Sequence, residues 1–123
     1  MSRKVVLLVS SDPRFFEERN NAFQARGCEV FAAMDGSQAI DFLNDRRADL
    51  VIAHGAPAGC SASQLRTAVG DDDRLIVVDS GGGIGEYEKA GDVHIVKSSK
   101  DSKPLLKLSV KLLGNPPRKY VAI

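Results

Sequence analysis

The chain has 123 residues, a length that suits one domain with a hydrophobic core of its own. Its formal net charge is +1, so no overall field favours nucleic acid or an anionic membrane surface. The apolar runs are too short for a membrane span, and the one near the N-terminus is too short for a signal peptide. Cys28 and Cys60 have neither metal-ligand spacing nor a disulfide framework, so we expect a cytoplasmic protein with reduced thiols.

The first part of the chain alternates strand and helix signals. Residues 5–9 form a continuous apolar run, which is typical of a strand buried on both faces. Small polar residues followed by Pro13 predict a helix start, and Gly27 predicts its end. A second strand is predicted over residues 28–33, and a helix from Ser37 follows it.

The same alternation continues to the end of the chain. A nearly all-apolar third strand is predicted over residues 49–53, and a short helix contains Leu65 and Val69. Apolar runs then predict a fourth strand over 75–78 and a fifth over 93–96. Pro104 opens a closing helix that ends before Gly114.

Buried strands that alternate with helices predict an α/β domain with a doubly wound parallel sheet. We assign residues 1–114 to this domain, and the proline-containing segment 115–123 is interpreted as a linker or tail. In such sheets, functional groups lie at the carboxyl ends of the strands. The candidate site residues are therefore Ser10, Ser11, His54, Asp79, Ser80 and Lys97.

Four segments in serial order carry a resemblance to a known family: residues 7–13, 35–40, 48–54 and 90–97. From about Lys4 to Leu113 the chain resembles the receiver domain of bacterial two-component response regulators. The resemblance implies a flavodoxin-like five-stranded sheet in the order 2-1-3-4-5 with helices on both faces. The segment between the fourth and fifth strands is short for that family, which predicts a shortened fourth helix.

The resemblance also implies a phosphoacceptor pocket, and this sequence departs from it. Receivers end the first strand in an acidic pair that holds magnesium, where this chain has Ser10 and Ser11. They end the third strand in the aspartate that accepts the phosphoryl group, where this chain has His54. The hydroxyl residue that usually ends the fourth strand is replaced by Asp79, with Ser80 next to it.

The fifth strand keeps one family feature and loses another. The lysine is retained as Lys97, whereas the switch aromatic is replaced by His94, which we interpret as a half-buried substitute for that ring. A lysine without a phosphate needs another anion, and the neighbouring strand offers Asp79. We predict a partly buried Asp79–Lys97 ion pair; the alternative is two solvated charges at the rim.

These substitutions predict a pocket without phosphoryl chemistry. Magnesium prefers carboxylates, and serine hydroxyls bring no charge. An acyl phosphate needs a carboxylate, which an imidazole cannot supply. We therefore expect no catalytic residue, no metal, no cofactor and no enzymatic activity, and we interpret His54 as a polar residue that fills the vacated pocket rather than as a metal ligand or phosphorylation site.

The leading hypothesis is a non-phosphorylatable pseudo-receiver that acts as a protein-interaction module in a bacterial regulatory pathway. The resemblance implies protein partners, homodimerisation through the fourth and fifth helices, or an effector domain in a longer chain. Two alternatives stay open: an atypical receiver phosphorylated by another route, and a nucleotide or anion sensor that uses the glycine-rich loop Gly81–Gly85.

Overall fold

The computed structural model describes residues 3–97 and 103–113, which form a five-stranded parallel sheet in the order β2-β1-β3-β4-β5. The strands are β1 (Val5–Val9), β2 (Glu29–Ala33), β3 (Leu50–His54), β4 (Leu75–Asp79) and β5 (His94–Lys97). The helices are α1 (Pro13–Gln24), α2 (Gly36–Asp45), α3 (Ala62–Val69), α4 (Gly85–Ala90) and α5 (Lys103–Leu112), with a 3₁₀ turn over Asp72–Arg74. The fold class is as predicted, whereas the linker assigned to residues 115–123 lies outside the described residues.

The continuous apolar run of β1 is explained by a core on each face of the sheet. Val6 and Leu8 point into one cluster, which α1 and α5 cover. Leu7 and Val9 point into the other, which α2, α3 and α4 cover. All four side chains are fully buried. Successive residues of a strand face opposite sides, so only an unbroken apolar sequence fills both cores.

The fourth helix is short, as predicted, because of the backbone that precedes it. α4 contains six residues and follows a loop in which Gly81, Gly82 and Gly83 have φ values of +148°, +97° and +81°. Residues with a Cβ atom rarely adopt positive φ values, and a right-handed helix cannot include residues with such values. The chain therefore leaves β4 through a turn and begins the helix only at Gly85.

Gly36 allows the loop after β3 to pack closely on the start of α2. Its amide donates a 2.7 Å hydrogen bond to the carbonyl of Ala58. A Cβ atom at this position would collide with the side chain of Cys60 and lie 3.0 Å from the Ala58 carbonyl oxygen. The loop after β3 is thus in direct contact with the N-terminal end of α2. No helix among the described residues is long and apolar enough to cross a membrane.

We predict that Gly36→Ala destabilises the protein, whereas Gly85→Ala does not. The first substitution forces the loop apart, at a cost of about 1–3 kcal/mol in the free energy of unfolding. A Cβ atom added at Gly85 would have no other atom within 4 Å, and the residue lies in a helix. Alanine at this position should therefore leave the free energy of unfolding unchanged or raise it by up to about 1 kcal/mol. Urea unfolding of both variants measures the difference; equal midpoints would contradict the close contact.

Candidate functional site

Most of the predicted site residues lie at one edge of the sheet, namely the edge at which the five parallel strands end. Ser10 follows β1, His54 ends β3, and the register pairs Asp79 of β4 with Lys97 of β5. β3 and β4 each extend one residue beyond the predicted strands, so the side chains of His54 and Asp79 belong to strand ends rather than loops.

Two serines of the predicted site differ from the other residues in their surroundings. Ser80 is exposed. Its hydroxyl oxygen lies 3.6 Å from the point that a Cβ atom would occupy at Gly55, in the loop after β3. Ser11 is also exposed, and its side chain forms no hydrogen bond with another described residue. Neither serine takes part in the contacts that hold the pocket together.

His54 is held by a hydrogen bond to Ser10. The Ser10 hydroxyl lies 2.9 Å from Nδ1 of His54 and accepts a 3.0 Å hydrogen bond from the amide of Asp12. Because that hydroxyl has one proton and already accepts from the amide, it can donate its proton to Nδ1 of a neutral imidazole. The tautomer consistent with this arrangement carries its proton on Nε2.

The ring of His54 also stacks on Phe15 of α1. The two ring centroids are 4.5 Å apart and the planes meet at 11°. The guanidinium of Arg19 lies 4.0 Å from the centroid of the same phenylalanine ring. Arg19 is 7% exposed, and its Nη1 donates to the Phe15 carbonyl oxygen at 3.2 Å and to Glu18 at 3.3 Å. We call the side chains of His54, Phe15 and Arg19 the stacked triad.

The stacked triad favours the uncharged form of His54. Burial lowers the pKa of the imidazole, the positive charge of Arg19 lowers it further, and Asp12 opposes these effects. A buried cation beside the histidine therefore disfavours a second positive charge at this edge of the sheet. The carboxyl end of β3 therefore holds a stacked imidazole whose charged form is disfavoured.

The predicted ion pair between Asp79 and Lys97 is wrong. Within the described part of the chain, these two residues form no ion pair within 4.0 Å. The Asp79 carboxylate instead accepts hydrogen bonds from the amides of Gly82 at 2.9 Å and Gly81 at 3.2 Å. These two bonds are the main reason that its pKa is lowered, and Lys97 contributes less. An ion pair with Lys97 would require a long side chain to be ordered, whereas the two amides of the glycine turn are already close to Asp79. The carboxylate therefore bonds to the amides rather than to the lysine.

The residues present do not fit the magnesium ion that the resemblance implies. Ser10 is nine-tenths buried and its hydroxyl is already bonded to His54 and to an amide. The carboxylate of Asp12 caps α1 by accepting from the amide of Arg14 at 3.0 Å. Magnesium needs oxygen ligands that include carboxylates, and among the described residues of this edge the carboxylates of Asp12 and Asp79 already accept backbone hydrogen bonds. Across the ranges that the structure describes, no group of three potential ligands converges.

His94 lies away from the pocket. It begins β5, whereas His54 ends β3, so the two histidines occupy opposite edges of a parallel sheet. The half-buried His94 ring contacts Asp73 of the 3₁₀ turn, with 3.2 Å between Nε2 and Oδ1. The two histidines therefore cannot share a metal ion.

Phe15 and Arg19 complete the site but were not among the predicted site residues. Both belong to the apolar face of α1, and the only signal in the sequence is an arginine four residues after a phenylalanine in that face. Arg19 is unusual because its Nε is buried and has no hydrogen-bond partner within the described residues. The cation over the ring partly offsets that loss.

Comparisons with known proteins identify the fold. The receiver protein of Sinorhizobium medicae WSM419 superposes with a TM-score of 0.77 and 18% identity, over 92% of this chain and 96% of its own. Response regulator TrrA of Thermotoga maritima, solved in complex with Mg²⁺ and BeF, gives 0.73 and 23% over 89% and 98%. The chemotaxis regulator CheY4 of Vibrio cholerae gives 0.72 and 18% over 90% and 99%. No protein-family model and no curated protein matches the sequence. The chain has the fold of response-regulator receiver domains.

We predict that His54 titrates below the ordinary histidine value of 6.5 and that Arg19→Met raises its pKa. Methionine keeps much of the packing but removes the charge that disfavours the imidazolium. NMR titration of the imidazole resonances measures both values. A pKa at or above 6.5, or one that the substitution leaves unchanged, would contradict the role of the stacked triad.

The same shift makes stability depend on pH. Because the folded-state pKa is lower than the unfolded-state value, the unfolded chain binds more protons as the pH falls below about 6.5. The free energy of unfolding therefore includes the full contribution of neutral His54 above that pH and loses this contribution as the pH falls below it. His54→Phe retains an aromatic ring that does not titrate, so its unfolding midpoint should change less between pH 7 and pH 5, about the range of histidine titration.

We predict that Asp79→Ala lowers the urea unfolding midpoint at neutral pH, whereas Lys97→Met leaves it nearly unchanged. The first substitution removes the acceptor of two amides, and the second removes only a minor electrostatic contribution. Because the pKa of Asp79 is lowered in the folded state, its contribution is present above the ordinary value of 3.8 and is lost as the pH falls further. Equal destabilisation by the two substitutions would restore the ion-pair interpretation.

Proposed function

We propose that this chain is a pseudo-receiver: a non-catalytic protein-interaction module of a bacterial two-component signalling pathway that acts in the cytoplasm without phosphorylation. The observation that carries the proposal is the position of His54. The resemblance aligns it with the phosphoryl-accepting aspartate of receivers, and its ring is stacked on Phe15 and hydrogen-bonded to Ser10. A receiver fold with this pocket retains the scaffold for recognition and lacks the acceptor.

Phosphorylation by another route has less support than loss of the reaction. A phosphoryl group brings about two negative charges, which receivers neutralise with a magnesium ion held by carboxylates. Here the corresponding serines bring no charge, and Nδ1 of His54 is already bonded to Ser10. In the tautomer that this bond favours, Nε2 carries the proton and has no free lone pair to accept the group.

Anion or nucleotide sensing by the glycine-rich loop also has less support. A loop of this kind binds an anion through amide groups that point toward it. The amides of Gly81 and Gly82 already donate to the Asp79 carboxylate. An incoming phosphate would have to displace that carboxylate and would meet its negative charge.

Partner recognition by the module would then use its surface. β5 is an edge strand, and Ile95 on it is 36% exposed, which is unusual for a large apolar residue in this protein. The shortness of α4 leaves this part of the sheet with a small covering helix. We propose the face formed by α4, β5 and α5 as the surface for a homodimer or another signalling protein.

The proposal predicts that the protein does not respond to phosphoryl donors or mimics. We expect no mass increase after incubation with acetyl phosphate and magnesium. Beryllium fluoride with magnesium should likewise leave the amide resonances of residues 10, 54 and 80 unshifted. The positive control is response regulator TrrA, which was solved with Mg²⁺ and BeF.

Two results would overturn this function. One is a phosphorylated peptide that contains His54 or one of the pocket serines. The other is a set of beryllium-fluoride shifts localised at the carboxyl ends of the strands. A His54→Ala variant distinguishes the residues in the first case, because phosphorylation of a serine would persist in it.

A further inference from the structure

A groove of about 300 Å³ lies between the C-terminal end of α1 and the helix α5. Its apolar part comes from Leu106 and Val110, both half-buried. Its rim comes from Arg26, Lys103 and Lys107, all exposed. Pro13 at the other end of α1 starts the helix beside the His54 pocket, so this groove is separate from the candidate site.

The helix α5 carries a row of positive charges, of which Lys103 and Lys107 line the groove. Lys103, Lys107 and Lys111 are spaced four residues apart, which places them along one face of the helix. No acidic residue occurs in α5. Like charges at this spacing repel one another, so the row does not contribute to the stability of the helix.

Several surface cations of this protein are paired with a carboxylate. Arg46 contacts Glu29, Arg66 contacts Asp72, and Lys89 contacts Glu86. By contrast, Arg26 and Lys107 form no ion pair with any residue in the described ranges, and the same is true of Lys111. An apolar groove with unpaired cations on both sides is complementary to an apolar ridge with carboxylates on both sides.

We propose that this groove binds an acidic amphipathic helix of a partner protein. Leucine-type side chains of the helix would contact Leu106 and Val110, and its flanking glutamate or aspartate carboxylates would pair with Arg26 and Lys107. Helix-in-groove recognition combines apolar anchors with polar contacts at the rim in this way. This specifies the chemistry of the partner that the proposed interaction module binds. It rests on the proposed function only for the claim that the module binds a protein.

The apolar part of the groove and its small size argue against other occupants. Phosphates of a nucleic acid would use the cations but not the half-buried Leu106 and Val110. A second copy of the chain offers an acidic pocket at Asp71, Asp73 and Asp92, but the lining of that pocket is polar and contains no apolar anchor. Docking of that pocket into the groove would also be head-to-tail, which generates open chains of molecules unless the rotation closes.

The test uses a synthetic helical peptide of about 18 residues with leucines on one face and glutamates flanking them. A peptide of the same composition in scrambled order is its control. We expect the amphipathic peptide to bind with a Kd below about 1 mM at low salt and to shift the amides of residues 26, 106, 107 and 110. Binding should weaken as salt screens the exposed charges.

Lys107→Glu should weaken binding at least about fivefold, which corresponds to the loss of about one good contact. Arg47→Glu is the matched control, because it makes the same charge change at an exposed residue outside the groove and should leave the Kd within about twofold. Lys107→Gln repeats the test with the charge removed rather than reversed, and circular dichroism verifies that each variant folds.

Several outcomes would overturn the inference: no binding at about 1 mM, equal binding of the scrambled peptide, shifts confined to another face, or equal loss with Arg47→Glu. Sedimentation velocity tests a second copy as the occupant. Self-association that Lys107→Glu abolishes and Ile95→Lys preserves would assign the groove to a second copy and also overturn the inference. None of these results depends on beryllium fluoride, so failure here is distinguishable from failure of the proposed function.

Discussion

The contact of His54 with Ser10 and Phe15 joins the three elements that define the functional edge of this sheet. Ser10 follows β1, His54 ends β3, and Phe15 lies in the first turns of α1. A stacked aromatic pair and a half-buried hydrogen bond contribute about 0.5–1.5 kcal/mol each. Together with the cation of Arg19 on the same phenylalanine, they tie the end of β3 to the first helix.

Two polar side chains of this edge, those of Ser10 and Asp79, are hydrogen-bonded within the protein. The Ser10 hydroxyl serves both an imidazole and an amide, and the Asp79 carboxylate serves two glycine amides. Neither of these two side chains is left free to bind an incoming group. A domain built in this way is suited to present one surface constantly, which agrees with the proposed role as an interaction module.

Much of the fold follows from simple features of the sequence. The unbroken apolar runs predict strands buried on both faces, and the residues that begin and end helices predict their order. The one-residue extension of β3 and β4 was not predictable from these patterns, because a histidine and an aspartate after apolar runs are equally typical of loops. The direction of the functional edge was predictable, since parallel strands share their carboxyl ends.

The interactions of the site were harder to predict than its location. Helical spacing places Phe15 and Arg19 on the buried face of α1 but does not say which side chain of the sheet they meet. The partner of Asp79 depends on three consecutive glycines, whose wide range of allowed φ and ψ values leaves the path of the loop open in the sequence. Charge alone favoured Lys97, whereas short-range backbone geometry decided the outcome.

The Asp79 carboxylate acts on the glycine loop as a tethered ligand. It is separated from the amides of Gly81 and Gly82 by only two and three residues, so its effective concentration at them is in the millimolar range or above. A dissolved anion would compete with a neighbour that never diffuses away. The acceptor for the two amides of this turn is therefore encoded in the chain itself.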